Sequence, residues 1–174
     1  MSKLAEYSRE QLEGMLHDAA LNWLAHDGLW FLAVEADAGL DKAIELDAEA
    51  WGGFTVIEAR RIMRRHGIEP GGGIEALALA LDRRLYSFIN EQQVVERTAT
   101  RLVFRMNDCR VQATRKRKGL PDFPCKPVGL VEYSGFARTI DPRLETRCLG
   151  CPPDPHPEGW YCTWEFVLSE SGRP

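Results

Sequence analysis

Apolar positions in the first half of the chain recur at intervals of three and four residues, the spacing of amphipathic helices. A first helix is expected behind Ser8, a favoured N-cap residue, and Gly39 is expected to cap its other end. Its buried stripe is predicted to contain Leu12, Leu16, Ala19, Trp23, Trp30 and Val34. A second helix is predicted at about residues 41–65, with Ile44, Trp51, Phe54, Ile57 and Ile62 inward. A third is predicted at about residues 74–90, after a glycine-rich linker.

From residue 92 the period changes to two, which is typical of β-strands. The predicted strands are residues 93–98 and 101–106 as a hairpin, residues 109–114 as an extension, and residues 144–149 and 161–168. A helix is predicted at residues 125–139. The fold class is therefore α+β, with N-terminal helices followed by an antiparallel sheet with one inserted helix. Residues 1–91 are expected to form a helical region and residues 92–174 an α+β metal- and ligand-binding region. The two regions are expected to make one compact domain.

Composition narrows the choice of function classes. The 174 residues are 44% hydrophobic and 28% charged, with a net charge of −4, which is ordinary for a globular protein and argues against a nucleic-acid-binding module. The basic run at residues 115–118 is expected to be a solvated loop or hairpin end. No signal peptide and no apolar run of membrane-spanning length is recognised, so a cytoplasmic location and no membrane partner are expected.

Four of the five cysteines fall in the last 50 residues. Disulfides are rare in a reducing compartment, so Cys125, Cys148, Cys151 and Cys162 are predicted to be metal ligands, most simply of a structural zinc. The two-residue gap between Cys148 and Cys151 lets both sulfurs reach one ion. An iron–sulfur cluster is less favoured, and buried free thiols are the simpler alternative. Glu145 is a competing oxygen ligand.

The spacing also resembles a known family. A cysteine at a helix start, then Glu-x-x-Cys on one strand and Cys-x-x-x-Phe on the next, correspond here to Cys125, Glu145, Cys148, Cys162 and Phe166. This pattern resembles the 4-vinyl reductase-type domain and the related L-2-amino-thiazoline-4-carboxylic acid hydrolase-like proteins. Over residues 92–168 the resemblance implies a helix-flanked antiparallel sheet around an apolar ligand pocket, with zinc on those cysteines and Glu145. The longer proline-rich loop contains Cys151, which could replace Glu145.

The remaining candidates concern ligand binding and catalysis. Trp23, His26, Trp30 and Trp51 are predicted to line a ligand site, because rigid aromatic side chains suit apolar pockets, although they also build cores. Cys109 is left over from the metal set. It is a candidate nucleophile with His26 or His156 as its base, and a buried structural thiol is the alternative.

These observations favour a sensor-like protein that binds a small, partly apolar or aromatic molecule and is stabilised by zinc. Four protein ligands would leave no open position on the metal, which is typical of a structural role. The alternative is a hydrolase of a small cyclic amide-like or thiazoline carboxylate substrate. An interaction module is a third interpretation, and homodimer formation is left open.

Overall fold

The N-terminal half of the protein is a pair of long helices. The computed structural model describes residues 3–169, in which α1 spans Arg9–Ala38 and α2 spans Leu40–His66. Ser8 and Gln11 form a capping box at the start of α1, with the Ser8 hydroxyl accepting from the Gln11 amide at 3.1 Å. Gly39 alone joins the helices at a φ of 86°, a conformation that favours glycine, so that α2 folds back on α1.

The C-terminal half adds an antiparallel sheet and further helices. Helix α3 (Gly73–Asp82) is followed by a short 3-10 helix (Leu85–Phe88) and then by strands β1 (Glu91–Arg97) and β2 (Arg101–Asp108). Helices α4 (Arg110–Arg117) and α5 (Lys126–Ile140) precede β3 (Leu144–Gly150) and β4 (Cys162–Leu168). The sheet order is β1-β2-β4-β3, so the central pair is β2 and β4. The α+β class with its N-terminal helices first is confirmed. No helix within residues 3–169 is long and apolar enough to cross a bilayer.

Three local predictions are wrong. Residues 109–114 do not extend the sheet but enter α4, where the Gln112 side chain makes two hydrogen bonds to the Phe123 backbone, at 2.9 and 2.8 Å. The basic run is likewise helical, and Arg115 within it is buried. The predicted third helix ends eight residues early, at Asp82 rather than Asn90, because Arg84 takes an extended backbone conformation and turns inward.

The predicted inward faces of the two long helices are also partly wrong. On α1 only Ala20 and Leu24 are fully buried, whereas Trp30 is 69% exposed and Leu16 is 44% exposed. Apolar residues occur all around α1, so the spacing did not single out one face. On α2, Trp51 and Ile62 are buried as predicted, but Ile57 is half exposed.

Helix α5 forms the middle layer of the fold. It packs on α2 on one side and on the sheet on the other. The helix-facing side of the sheet contributes Leu102, Phe104 and Met106 from β2 and Cys162, Trp164 and Phe166 from β4. Tyr133 of α5 stacks on Trp164 with ring centroids 4.7 Å apart. Gly129, one turn earlier, lets the helix backbone approach the same indole.

A buried ion network ties this layer to α2. Arg84 is 1% exposed and donates to Glu58 of α2 at 2.8 Å and to Glu132 of α5 at 2.6 Å. Burial alone would lower the pKa of Arg84, but the two carboxylates outweigh it and raise the pKa. The guanidinium also lies 4.8 Å from the Phe136 ring centroid and 5.2 Å from that of Tyr86.

The Trp164 indole lies so close to Gly129 that a larger residue should not be tolerated there. A Cβ at this position would lie 2.6 Å from Cζ2 of Trp164, so Gly129→Ala is expected to lower the free energy of unfolding by about 1–3 kcal/mol. The matched control is Gly14→Ala in α1, where a Cβ meets no atom within 4 Å. That variant is expected to be slightly more stable than the parent, because alanine favours the helix. Urea denaturation measures both, and equal effects of the two substitutions would contradict the packing described.

Candidate functional site

A cavity of about 460 Å³ opens where α1, α2, α4 and α5 meet one end of the sheet. Ligand sites for small molecules typically enclose about 300–1,000 Å³. Most of the wall is apolar and aromatic, with contributions from Leu24, Phe31, Trp51, Val128, Tyr133 and Trp164. Charged groups are also set into this wall: the carboxyl groups of Asp27, Asp47 and Glu132, and basic side chains from α4 and the residue that follows it. The cavity therefore has the size and lining expected of a small-molecule site.

One side of the cavity is an aromatic cluster. Trp51 and Tyr86 stack with ring centroids 5.9 Å apart, and both line the cavity. Trp23 packs against them from behind, 6.0 Å from Trp51 and 5.2 Å from Tyr86, without lining the cavity itself. Of the four residues predicted to bind a ligand, Trp51 is the one that the structure places in the wall.

The predictions for His26 and Trp30 are corrected by the orientation of α1. Both side chains are exposed and neither lines the cavity. Successive helix residues are rotated by about 100°, so the side chain that turns inward between them is Asp27. Phe31, next to Trp30, also lines the wall.

Sequence analysis missed Tyr86 and Glu132 as cavity residues. A signal for Glu132 exists, since it lies four residues after Val128 and four before Phe136, which places a carboxylate in the buried stripe of a helix. A charged residue in such a stripe needs a partner or a function. Tyr86 gives no such signal, because it lies in a short 3-10 segment without a regular pattern.

The carboxyl groups make this end of the cavity acidic. Burial, reinforced by the nearby charges of Asp27 and Glu132, raises the pKa of Asp47 to about 7, although a hydrogen bond from Trp51 opposes the shift. Burial also raises the pKa of Asp27, with His26 acting in the opposite direction. The Asp47 carboxylate can therefore take up a proton near neutral pH.

Four cysteines converge at the cavity, each from the end of a different element. Cys109 follows β2, Cys125 precedes α5, Cys151 follows β3 and Cys162 begins β4, and all four line the cavity. The Sγ atoms of Cys125 and Cys151 are 3.4 Å apart, and Cys151 also interacts with Cys162. The Gln112 amide nitrogen lies 3.5 Å from Sγ of Cys125. Within residues 3–169, however, no three His, Cys, Asp or Glu side chains stand in the arrangement of a metal site.

Two of the predicted metal ligands do not line the cavity with this group. Cys148 is half-buried on the helix-facing side of β3, opposite Trp164, and does not line the cavity. Glu145 is exposed and accepts a hydrogen bond from the Ser169 hydroxyl at 2.7 Å. Side chains three positions apart on a strand point to opposite faces of the sheet. The structure therefore does not bring Glu145 and Cys148 to one ion, contrary to what the resemblance implies.

Cys109 is poorly placed to act as a nucleophile. Burial raises the pKa of its thiol to about 12, which keeps it protonated at neutral pH. His26 is exposed on α1, and His156 bonds instead to Asp122 at 3.1 Å. Among the described residues, neither histidine is hydrogen-bonded to the thiol. The described residues therefore do not show Cys109 as an activated nucleophile.

Comparison with known proteins places the chain in a family. Residues 5–168 match a family of unknown function, DUF6125, over nearly the whole chain. No curated protein and no solved structure is significantly similar to it. The match does not bear on the resemblance to 4-vinyl reductase-type domains, which stays a prediction. Because the family profile covers far more than half of the sequence, this protein belongs to the DUF6125 family.

Proposed function

We propose that the protein binds a small, partly apolar molecule in the cavity between α1, α2, α4, α5 and the sheet. The observation that carries this proposal is the cavity itself, about 460 Å³ in volume with aromatic walls and a few polar groups. A hydrophobic core normally closes such a space, since unfilled volume costs contacts that neighbouring side chains could make. A well-formed apolar cavity with a few polar groups is the usual form of a ligand site.

The surroundings of the cavity favour a preformed site. Trp51 and Tyr86 are held against each other and against Trp23, so their rings cannot easily collapse into the space. Glu132 is fixed by its ion pair with Arg84. Preorganised walls lose little conformational entropy when a ligand binds, which favours recognition. Binding rather than hydrolysis is proposed, because within residues 3–169 neither His26 nor His156 is hydrogen-bonded to the Cys109 thiol.

We further propose that the cysteine group holds a structural zinc ion. Cys125, Cys151 and Cys162 would supply three ligands, and Cys109 or Cys148 would supply the fourth. Sulfur atoms around a tetrahedral zinc are about 3.8 Å apart, so the 3.4 Å separation of Cys125 and Cys151 needs only small side-chain rotations. The donors fit zinc chemically, and the ion would join α5, β3 and β4 at the cavity. All five cysteines are free thiols, which suits a reducing cytoplasm.

Ligand binding is tested with prodan, a neutral naphthalene dye whose emission shifts to the blue in apolar surroundings. The parent protein is expected to bind it with micromolar affinity. Gly28→Phe should weaken binding by about tenfold or more, because Gly28 lines the cavity and the new side chain would fill it.

The matched control for this experiment is Gly14→Phe, a change of the same type in the same helix outside the cavity. A Cβ meets no atom within 4 Å at either glycine, so both variants should fold. Circular dichroism verifies this. No binding to the parent, or equal binding to the two variants, would overturn the proposed site.

Zinc binding is tested by elemental analysis of protein purified without chelators. About one zinc per chain is expected, and Cys151→Ser should lose most of it, because Cys151 contacts two of the other proposed ligands, Cys125 and Cys162. Parallel Cys109→Ser and Cys148→Ser variants identify the fourth ligand by their zinc content. An absence of zinc in the parent, or full zinc content in Cys151→Ser, would refute the metal proposal without affecting the cavity.

A further inference from the structure

The acidic end of the cavity contains more negative charge than the protein neutralises. Asp27, Asp47 and Glu132 line it, and Glu58 lies behind them. Arg84 is shared by Glu58 and Glu132 through short ion pairs. Within residues 3–169, no salt bridge reaches Asp27 or Asp47. In this part of the chain, the two carboxylates therefore face the cavity without a salt-bridge partner, and only the neighbouring His26 opposes the charge of Asp27.

This arrangement works against folding. Partly buried carboxylates without a counter-charge are costly, and their mutual repulsion adds to the cost. Hydrogen bonding by Trp51 nevertheless favours the charged form of Asp47. Perturbed acidic groups in a cavity are typical of functional sites. A cation supplied by a ligand would relieve the repulsion.

A second, independent feature also indicates a polar occupant. Trp164 lines the cavity and is fully buried, yet its indole nitrogen has no hydrogen-bond partner among the described residues. Buried indole N–H groups usually find an acceptor. An acceptor atom on the bound molecule would satisfy this donor, so the cavity suits a ligand that is not purely hydrocarbon.

Basic side chains also line the cavity, but among the described residues none of them forms a salt bridge with Asp27 or Asp47. Arg115 donates to the Pro121 carbonyl at 2.9 Å and lies 3.6 Å from Glu35 of α1. Glu35 is eight residues along the helix from Asp27, a separation of about 12 Å. Arg110, Arg117 and Lys118 are exposed. Solvent screens exposed charges, so these three offset the two carboxylates less than a buried partner would.

We propose that the molecule bound in this cavity carries a cationic amine and a hydrogen-bond acceptor on an aromatic or aliphatic body, with the ammonium group between Asp27 and Asp47. The aromatic walls formed by Trp51 and Tyr86 would contact the body of the ligand beside the ammonium group. This inference rests on the proposed small-molecule function and assigns a chemical class to its ligand.

The test compares three probes of similar shape at pH 8 by isothermal titration calorimetry: phenethylamine, phenethyl alcohol and phenylpropionate. Phenethylamine is expected to bind at least about tenfold more tightly than the alcohol, and phenylpropionate most weakly. Equal or tighter binding of the alcohol or of the anion would overturn the inference. If none of the three probes bound, the inference would also be overturned. Prodan binding would then show whether the cavity still binds a small apolar molecule.

Charge-neutralising variants assign the effect to particular residues. Asp47→Asn and Asp27→Asn are each expected to weaken phenethylamine binding by about tenfold and to leave phenethyl alcohol binding unchanged. The matched control is Asp37→Asn at the exposed end of the same helix as Asp27. If the site variants weakened the binding of both probes equally, the two carboxylates would have a purely structural role. That result would contradict the inference. Both site variants remove an unpaired carboxylate, so they should fold.

The pH dependence provides a readout that packing alone would not produce. The groups that face Asp47 are Asp27 from α1, Glu132 from α5, and Trp51 from its own helix. The pKa of Asp47 is about 7, so its carboxylate is neutral below that pH and charged above it. Phenethylamine stays protonated until about pH 10. Its affinity is therefore expected to rise severalfold between pH 6 and 8 in the parent and to stay flat in Asp47→Asn. A flat profile in the parent would overturn the role of Asp47.

Discussion

The buried guanidinium of Arg84 is the interaction on which the rest of the structure depends. It comes from the segment between α3 and β1, and it reaches one carboxylate on α2 and one on α5. Removing one partner of such a buried network typically costs about 3–5 kcal/mol, because the other charges are left uncompensated. The network therefore fixes how the helical half is placed against α5. It also fixes Glu132 at the cavity wall, which links the stability of the fold to the shape of the site.

Helix α5 transmits this constraint to the sheet. On its α2 side, the Thr55 hydroxyl donates to the Glu132 carbonyl at 2.9 Å, and on its other side Gly129 allows Trp164 to approach the helix backbone. The beginning of α5 lies at the end of the sheet where β3 finishes and β4 starts, since Lys126 donates its backbone N–H to the Pro152 carbonyl at 2.9 Å. The same placement brings Cys125 beside Cys151. The cavity and the thiol group are thus two results of one packing arrangement.

Sequence reasoning succeeded where local interactions decide the structure. The cap at Ser8, the glycine at position 39 and the alternating strands are determined by neighbours in the chain, and they occur as predicted. It failed where tertiary contacts determine the structure. The face of α1 could not be chosen from a helix with apolar residues on every side, and Trp30 was therefore placed inward in error. The ion pairs of Arg84 and the cavity join segments far apart in the chain, which no local pattern encodes.

Helix α1 forms one wall of the cavity, yet only two of its 30 residues are fully buried. Elements with so little buried apolar surface detach from the body of a protein at low free energy, well before global unfolding. Transient release of this helix would then widen the route for ligand entry and exit. The residence time of a bound molecule would depend on how firmly α1 is attached as well as on its contacts with the ligand. Substitutions on the outer surface of α1, far from any bound atom, would thereby change the exchange rate while leaving the affinity of the closed state unaltered.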